Sequence, residues 1–228
     1  MAIVSEVLRF ILPRSPASTA AFADLRRRVA ARGAVTTQFF GYVLPDEGMP
    51  RPKPAGQMCW YIEWPEQAAY RASGDFQAAL AKMSEGTARS LRFEFAETKE
   101  GEIRKGLESA VCQFAIINAK ADAPRFQPEF EASMHKTYTD TYGAAGFTGG
   151  GWGYALNSND ADGAEVGEAE SSLLEGKDRR LAYYILGWNT LQDHHAYAQT
   201  DLFFEEINNL APYFGSGSGA FYAQLEAH

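Results

Sequence analysis

Proton-transfer chemistry has few candidates in this chain, and they cluster late. There are four histidines: His135, His194, His195 and the terminal His228. Histidine, with an ordinary pKa of about 6.5, is the side chain best placed to act as a general base near neutral pH. A helix is expected to open at Thr190. On it Leu191, His195 and Ala198 fall at the i, i+4, i+7 spacing, so His195 is expected to face a sheet and His194 to point about 100° away. His195 is therefore the first candidate for a catalytic base, the structural alternative being a histidine packed under the helix and hydrogen-bonded to a neighbour. His135 is the second candidate. It lies just beyond an apolar arc of Phe130, Met134 and Tyr138, near Tyr142, with a solvent-facing histidine as its alternative. His194 and His228 read as solvent groups.

Other chemistries find less support. No HxxxH or HExxH motif occurs, and adjacent histidines on one helix diverge, so no metal site is expected. A single buried histidine would suffice as an axial haem ligand. There is no G-x-S-x-G elbow, and Cys59 and Cys112 sit singly in apolar runs, which points to buried free thiols rather than a disulfide or a CxxC site. The run Gly149-Gly150-Gly151 lacks the strand-loop-helix setting and the lysine of a phosphate loop, but it permits close backbone approach at a strand edge. Four aromatic residues are candidates to line a pocket and orient an aromatic or phenolic ligand: Trp152, Tyr138, Tyr70 and Tyr197. Each has filling a core as its alternative, the commoner outcome for Tyr70 and Tyr197.

These residues need a scaffold, and the composition supplies one. The 228 residues are 46% hydrophobic, ample for one large domain or two of about 100 residues. A formal charge of −8, with 29 acidic against 21 basic residues, argues against a phosphate-backbone partner. The one dense basic cluster, Arg26-Arg27-Arg28, reads as a solvated helix face. No stretch has the roughly 18 apolar residues of a membrane span, and Glu6 and Arg9 interrupt the N-terminal apolar run, so neither span nor secretory signal is expected. A cytoplasmic protein is the expectation.

Along the chain, Glu6 to Leu12 reads as a buried strand. Ser15-Pro16 then caps an amphipathic helix carrying Phe22, Leu25 and Val29 and ending at Gly33. Strands are expected over Val35 to Leu44 and Gln57 to Trp64, around a Pro/Gly-rich loop from Pro45 to Gly56. A helical region from Pro65 to Met83, broken near Ser73-Gly74, leads to a strand over Ser90 to Ala96. After a charged linker, Thr98 to Ser109, the order βαββαβ returns. It comprises strand Val111 to Asn118, helix Pro128 to Tyr142, strands Thr148 to Leu156 and Arg180 to Trp188, helices within Thr190 to Leu210, and strand Gly219 to Leu225. The connection Asn157 to Asp178 is acidic, lacks aromatic residues and is expected to be mobile. A segment is also written twice. Tyr70-Arg71-Ala72-Ser73-Gly74-Asp75-Phe76 returns as Tyr197-Ala198-Gln199-Thr200-Asp201-Leu202-Phe203, each copy after a strand ending in tryptophan, Trp64 or Trp188.

Each block is a ferredoxin-like α+β arrangement with both helices on one face of its sheet. Several strands are too apolar to leave the other face wet, so the two uncovered faces should pack together. On these features the chain resembles the dimeric α+β barrel superfamily, and within it the antibiotic biosynthesis monooxygenase-like domains, with residues 1–98 and 110–228 as two units forming an internal pseudo-dimer. The resemblance implies a menu of cofactor-independent oxygenases, cyclases, isomerases and decarboxylases, haem proteins and stress-induced proteins. The expected activity is proton abstraction from a small apolar or aromatic, polyketide-like molecule, followed by oxygenation or cyclisation, with no cofactor. His195 would be the base with tyrosine or tryptophan partners, Tyr197 and His135 would be the further catalytic candidates, and Trp152, Tyr138 and Tyr70 would contact substrate. A ligand-binding protein without catalysis and a haem-dependent enzyme are the alternatives. Related cyclases carry histidines near the helix break and on the first strand; this chain has Asp75 and Asp201 at the breaks and Arg9 or Gln113 on the strands. The chain is expected to act as a monomer or a homodimer. All histidines but the terminal one lie between the repeated segments or at the second, so a histidine-based site should belong to the second unit.

Overall fold

A computed structural model describes residues 3–45, 55–65, 70–95, 100–166 and 173–228. The first unit runs β1 (Ile3–Ile11), α1 (Pro16–Gly33), β2 (Gln38–Tyr42), β3 (Gln57–Trp64), α2 (Gly74–Met83) and β4 (Glu85–Phe95). A helix α3 (Glu100–Leu107) leads into the second: β5 (Val111–Asn118), α4 (Pro128–Thr139), β6 (Phe147–Tyr154), the short β7 (Ala164–Glu165), β8 (Leu181–Trp188), α5 (Leu191–Tyr197), α6 (Asp201–Leu210), β9 (Gly219–Ala223) and β10 (Glu226–Ala227). The Pro/Gly-rich loop expected over 45–56 and the start of the helical region at 66–69 lie largely outside the described residues.

Period-two patterning decides the packing. On β1 and β3, Leu8, Phe10, Met58, Trp60, Ile62 and Trp64 face α1 and α2, where Phe22, Leu25, Val29, Phe76 and Leu80 meet them. The alternate residues, Val7, Cys59 and Tyr61 with Leu91 and Phe93, face away from those helices and pack against Cys112, Phe114, Tyr183, Ile185 and Phe221 of the second sheet. Both faces of each sheet are therefore buried, which is why the strands read as almost continuous apolar runs. The sheets have the order β10-β2-β3-β1-β4-β7 and β6-β8-β5-β9, so the four main strands follow the same ferredoxin-like order in each. Single bridges Phe93↔Ala155 and Val43↔Ala223 stitch the two sheets along both seams.

Cys59 and Cys112 are free and buried in the space between the sheets. Burial pushes the Cys59 thiol up to about 12, partly offset by Arg9, so it stays protonated and inert at neutral pH.

Several expectations change. The linker is not only a linker: α3 inserts Ile103 and Leu107 into the inter-sheet core. Its Gly106 lies against the backbone of Gly149, Gly150 and Gly187, and a Cβ on Gly187 would meet the Gly106 Cα at 2.7 Å. Backbone does approach the glycine run, and it belongs to this helix. At the end of α1 the left-handed residue is Ala34 (φ 52°), one position after Gly33. The last strand splits, β10 crossing to pair with β2 of the first sheet. Of the acidic connection 157–178, residues 167–172 lie outside the described residues, but the rest is fastened down. β7 pairs with the open edge of β4, Asn157 Oδ1 accepts from the Arg92 backbone N–H (2.8 Å), and buried Arg9 donates to the Ala161 carbonyl (2.6 Å). An exposed sheet edge offers unpaired backbone groups, and this segment takes them. Finally, Arg26 is not a simple solvated charge, since its guanidinium lies 3.4 Å from the centre of the Phe40 ring, while Arg27 and Arg28 pair with Asp24.

Candidate active site in the second unit

A cavity of about 310 Å³ lies between the second sheet and helices α4, α5 and α6. Gln113 and Ala115 from β5 and Tyr184, Leu186 and Trp188 from β8 form its floor, while His194, Tyr197, Phe203 and Ile207 close it from the helices. It is a mainly apolar, aromatic chamber with Gln113 and His194 together in its wall. A wider groove beside the start of α1 is a surface feature in which the Arg14 guanidinium covers the Tyr42 ring at 4.3 Å, with no acid or base pair.

Local sequence sets that wall. Thr190 caps α5 through its hydroxyl, which accepts from the Asp193 N–H (3.1 Å). Leu191, His194 and Tyr197 then lie at the i, i+3, i+6 spacing, and Tyr197 packs against Trp188 with ring centres 5.8 Å apart. His194 is buried and points inward. His195 is half-buried, contacts the rings of His194 and Tyr222, and does not line the cavity. The expected inward orientation of His195 is thus corrected by one position, because a seven-residue helix takes its phase from its cap and from its aromatic anchor rather than from Ala198, which lies beyond its end.

The hydrogen bonds of His194 determine its state. The Trp188 indole N–H can only donate, and it donates to Gln113 Oε1 at 2.9 Å, which fixes the amide so that its NH2 faces His194. His194 Nε2, 2.9 Å from Gln113 Nε2, must then accept. The ring proton resides on Nδ1, which donates to the Tyr222 hydroxyl at 2.9 Å. The result is a neutral imidazole held at both nitrogens, its acceptor nitrogen against the amide of Gln113, which also lines the cavity. Only one of the two Gln113 amide hydrogens has a partner among the described residues. The Tyr197 phenol is pushed up to about 12, first by burial and then by Asp140, so it remains a donor at neutral pH.

The remaining candidates fall elsewhere. Tyr138 is buried and donates to the Gly150 carbonyl (2.9 Å) beside Tyr142, outside the cavity lining. Trp152 stacks on Tyr184 with centres 5.4 Å apart and interplanar angle 15°, and its N–H donates to Nδ1 of the exposed His135 at 3.3 Å. Trp152 therefore supports a cavity wall from behind, and His135 lies on the surface. Tyr70 belongs to the first unit, packed against Phe76.

The first unit has the same frame with different contents. Val4 pairs with Trp64 and Val111 with Trp188, so Glu6 and Gln113 occupy equivalent register positions two residues on. Trp64 Nε1 donates to Glu6 (2.6 Å) as Trp188 does to Gln113, but Glu6 is bound by Arg71 and Ser90 rather than by a histidine. Motif reasoning read His194 as a solvent group, noted Gln113 only as a strand residue standing where related cyclases have histidine, and passed over Tyr222. The available signal was the pairing of two strand-end tryptophans with two polar residues on otherwise apolar strands.

His194 offers no open nitrogen as an axial haem ligand, since Nδ1 is held by Tyr222 and Nε2 would have to give up the Gln113 amide to reach iron. Among the described residues no group of three or more His, Cys, Asp or Glu is arranged to hold a metal ion. Likewise, no helix among the described residues is long and apolar enough to cross a membrane.

No protein-family model matches the sequence, and no curated protein is similar to it. Solved structures are similar in fold. An anthrone oxidase-like protein is 10% identical, with 99% of this chain and 92% of that one covered and a TM-score of 0.63. A candidate monooxygenase from Fusobacterium nucleatum is 12% identical over 99% and 92% of the two chains, TM-score 0.55. A variant chlorite dismutase from Candidatus Nitrospira defluvii is 11% identical over 98% and 91%, TM-score 0.53. At such identities the likeness is one of architecture, the ferredoxin-like α+β barrel, spanning nearly the whole chain.

Proposed function

We propose that the second unit, residues 110–228, is a cofactor-independent oxygenase for a small aromatic substrate bearing an acidic C–H beside a conjugated carbonyl, with the first unit, residues 1–98, as scaffold. The observation that carries this reading is the neutral, doubly held His194 at the wall of an apolar chamber. The names of the anthrone oxidase-like protein and the candidate monooxygenase, which share the fold, support oxygenation over cyclisation. Seams closed within one chain support a monomer as the working unit.

In this account substrate enters with its acidic hydrogen in the place of the Gln113 N–H, facing His194 Nε2. The proton passes to Nε2 and the electron pair stays on the substrate as an enolate. The Nδ1–H on Tyr222 keeps the ring oriented as its charge appears. Gln113, displaced from Nε2 but still held at Oε1 by Trp188, supplies amide hydrogens to the enolate oxygen in a site of low polarity. Dioxygen then adds to the carbanionic carbon. One oxygen atom remains as a new carbonyl and the other leaves as water, so that CH2 and O2 give C=O and H2O. Tyr197, kept protonated by burial, is the second donor for substrate.

A second reading, ligand binding without turnover, draws on the same two hydrogen bonds, since a histidine satisfied at both nitrogens is a stable wall residue. Oxygen uptake separates the two. With anthrone as probe and protein freed of metals by chelation, one O2 should be consumed per anthrone, far above the buffer rate. Binding of anthrone with uptake no faster than in buffer overturns the oxygenase and leaves the binding protein.

A further inference from the structure

A second cleft, of about 310 Å³, opens at the seam where β4 of the first sheet meets β6 of the second, and it shares no lining residue with the cavity above. Its inner wall holds unspent donors. Arg125 is 8% exposed, and its guanidinium is clamped by the backbone, Nη1 donating to the Arg179 carbonyl (3.1 Å) and Nη2 to that of Lys177 (2.9 Å). Its Nε–H is buried with no partner, and so is the hydroxyl of Tyr154, which lines the same cleft. Buried polar groups are ordinarily satisfied, and two donors left over in one place call for an acceptor from outside.

The rim carries the opposite charge. Glu94 and Glu131 line the cleft, both exposed and without an ion pair among the described residues, while Arg179, also in the lining, spends its Nε–H on the Leu174 carbonyl (3.1 Å). Between rim and wall lie apolar surfaces, Leu156 and the ring of Phe126, which is 63% exposed. An anion alone would satisfy the donors but meet two carboxylates. A cation alone would meet the carboxylates but leave the donors orphaned. An apolar molecule would answer neither. We propose that this cleft binds a small amphipathic zwitterion of α-amino-acid type, its carboxylate on Arg125 Nε and the Tyr154 hydroxyl, its ammonium toward Glu94 and Glu131, and its side chain against Phe126 and Leu156.

Three probes test this on the full chain: L-phenylalanine, 3-phenylpropanoate, which lacks the ammonium, and phenethylamine, which lacks the carboxylate. Amide shifts of the 15N-labelled protein should move at Phe126, Tyr154 and Leu156 with L-phenylalanine, and each truncated probe should bind about tenfold more weakly or worse, the worth of one charged hydrogen bond. Arg125 holds the turn before β8 and is left in place. Tyr154→Phe and Glu131→Gln, which disturb no described contact, should each weaken L-phenylalanine at least about threefold. The proposal is overturned if L-phenylalanine causes no shifts at millimolar concentration, if either truncated probe binds as tightly, or if both variants bind like wild type.

Discussion

His194→Ala should lower turnover of an acidic aromatic substrate by about 10²- to 10⁴-fold, the range lost with a general base, while His195→Ala stays within a few fold of wild type. The neighbouring histidines make this a sharp comparison. They share a helix, a composition and nearly a position, but only His194 reaches the cavity and the Gln113 amide. Truncating His194 also strips Tyr222 and Gln113 of a partner, which costs about 1–3 kcal/mol, so thermal melts must accompany the kinetics. His194→Gln helps here, because it refills the wall with a polar side chain that can hydrogen-bond but cannot accept the proton. Its turnover should stay as low as that of the alanine variant although its stability recovers. Loss of activity in His195→Ala with activity retained in His194→Ala would reverse the assignment.

Glu6→Ala should have the largest effect on stability, about 3 kcal/mol, at the low end for breaking a buried ion pair because Arg71 keeps some access to water. Glu6 is fully buried and accepts from Arg71 Nε (2.8 Å) and Nη2 (2.6 Å), from the Trp64 indole and from Ser90. Burial alone would raise its pKa, but the Arg71 charge and these hydrogen bonds outweigh burial and hold it below the ordinary carboxylate value. The sign of the pH dependence follows. With the folded pKa below the unfolded value of about 4.3, the contribution of Glu6 is complete above that value and is lost as pH falls through the folded pKa. Denaturant titrations at neutral pH and below pH 4 should show wild type losing this share on acidification, whereas Glu6→Gln, which places in the first sheet the residue that the second has at 113, should be flatter. A Gln variant with the wild-type acid slope would show that Glu6 is not the group being titrated.

Much of this fold was legible because strand periodicity is a strong signal when both faces are buried. Leu8, Phe10, Trp60 and Trp64 on one side and Val7, Cys59 and Tyr61 on the other leave no exposed face, which forces sheet against sheet. Helix α3 was hidden because only Ile103 and Leu107 are its apolar anchors in a strongly charged stretch. The crossing of β10 was hidden because two residues carry no pattern. In the site, Tyr197 was visible through the repeat with Tyr70. His194 was displaced by one residue, since a helix of under two turns fits two phases and the deciding contacts, with Gln113 and Tyr222, are 81 and 28 residues away. The difference between Glu6 with Arg71 and Gln113 with His194 depends on three-dimensional register, so the same frame holds an ion pair in one unit and a histidine at a cavity wall in the other.

A crystal structure of the protein with anthrone bound under anaerobic conditions tests the central claim most directly. The account predicts the ligand in the chamber between β8 and helices α4 to α6, its carbonyl oxygen within hydrogen-bonding distance of Gln113 Nε2 and its methylene carbon facing His194 Nε2. Anthrone bound elsewhere, or in the chamber with the Gln113–His194 contact intact and its methylene turned away, would contradict it.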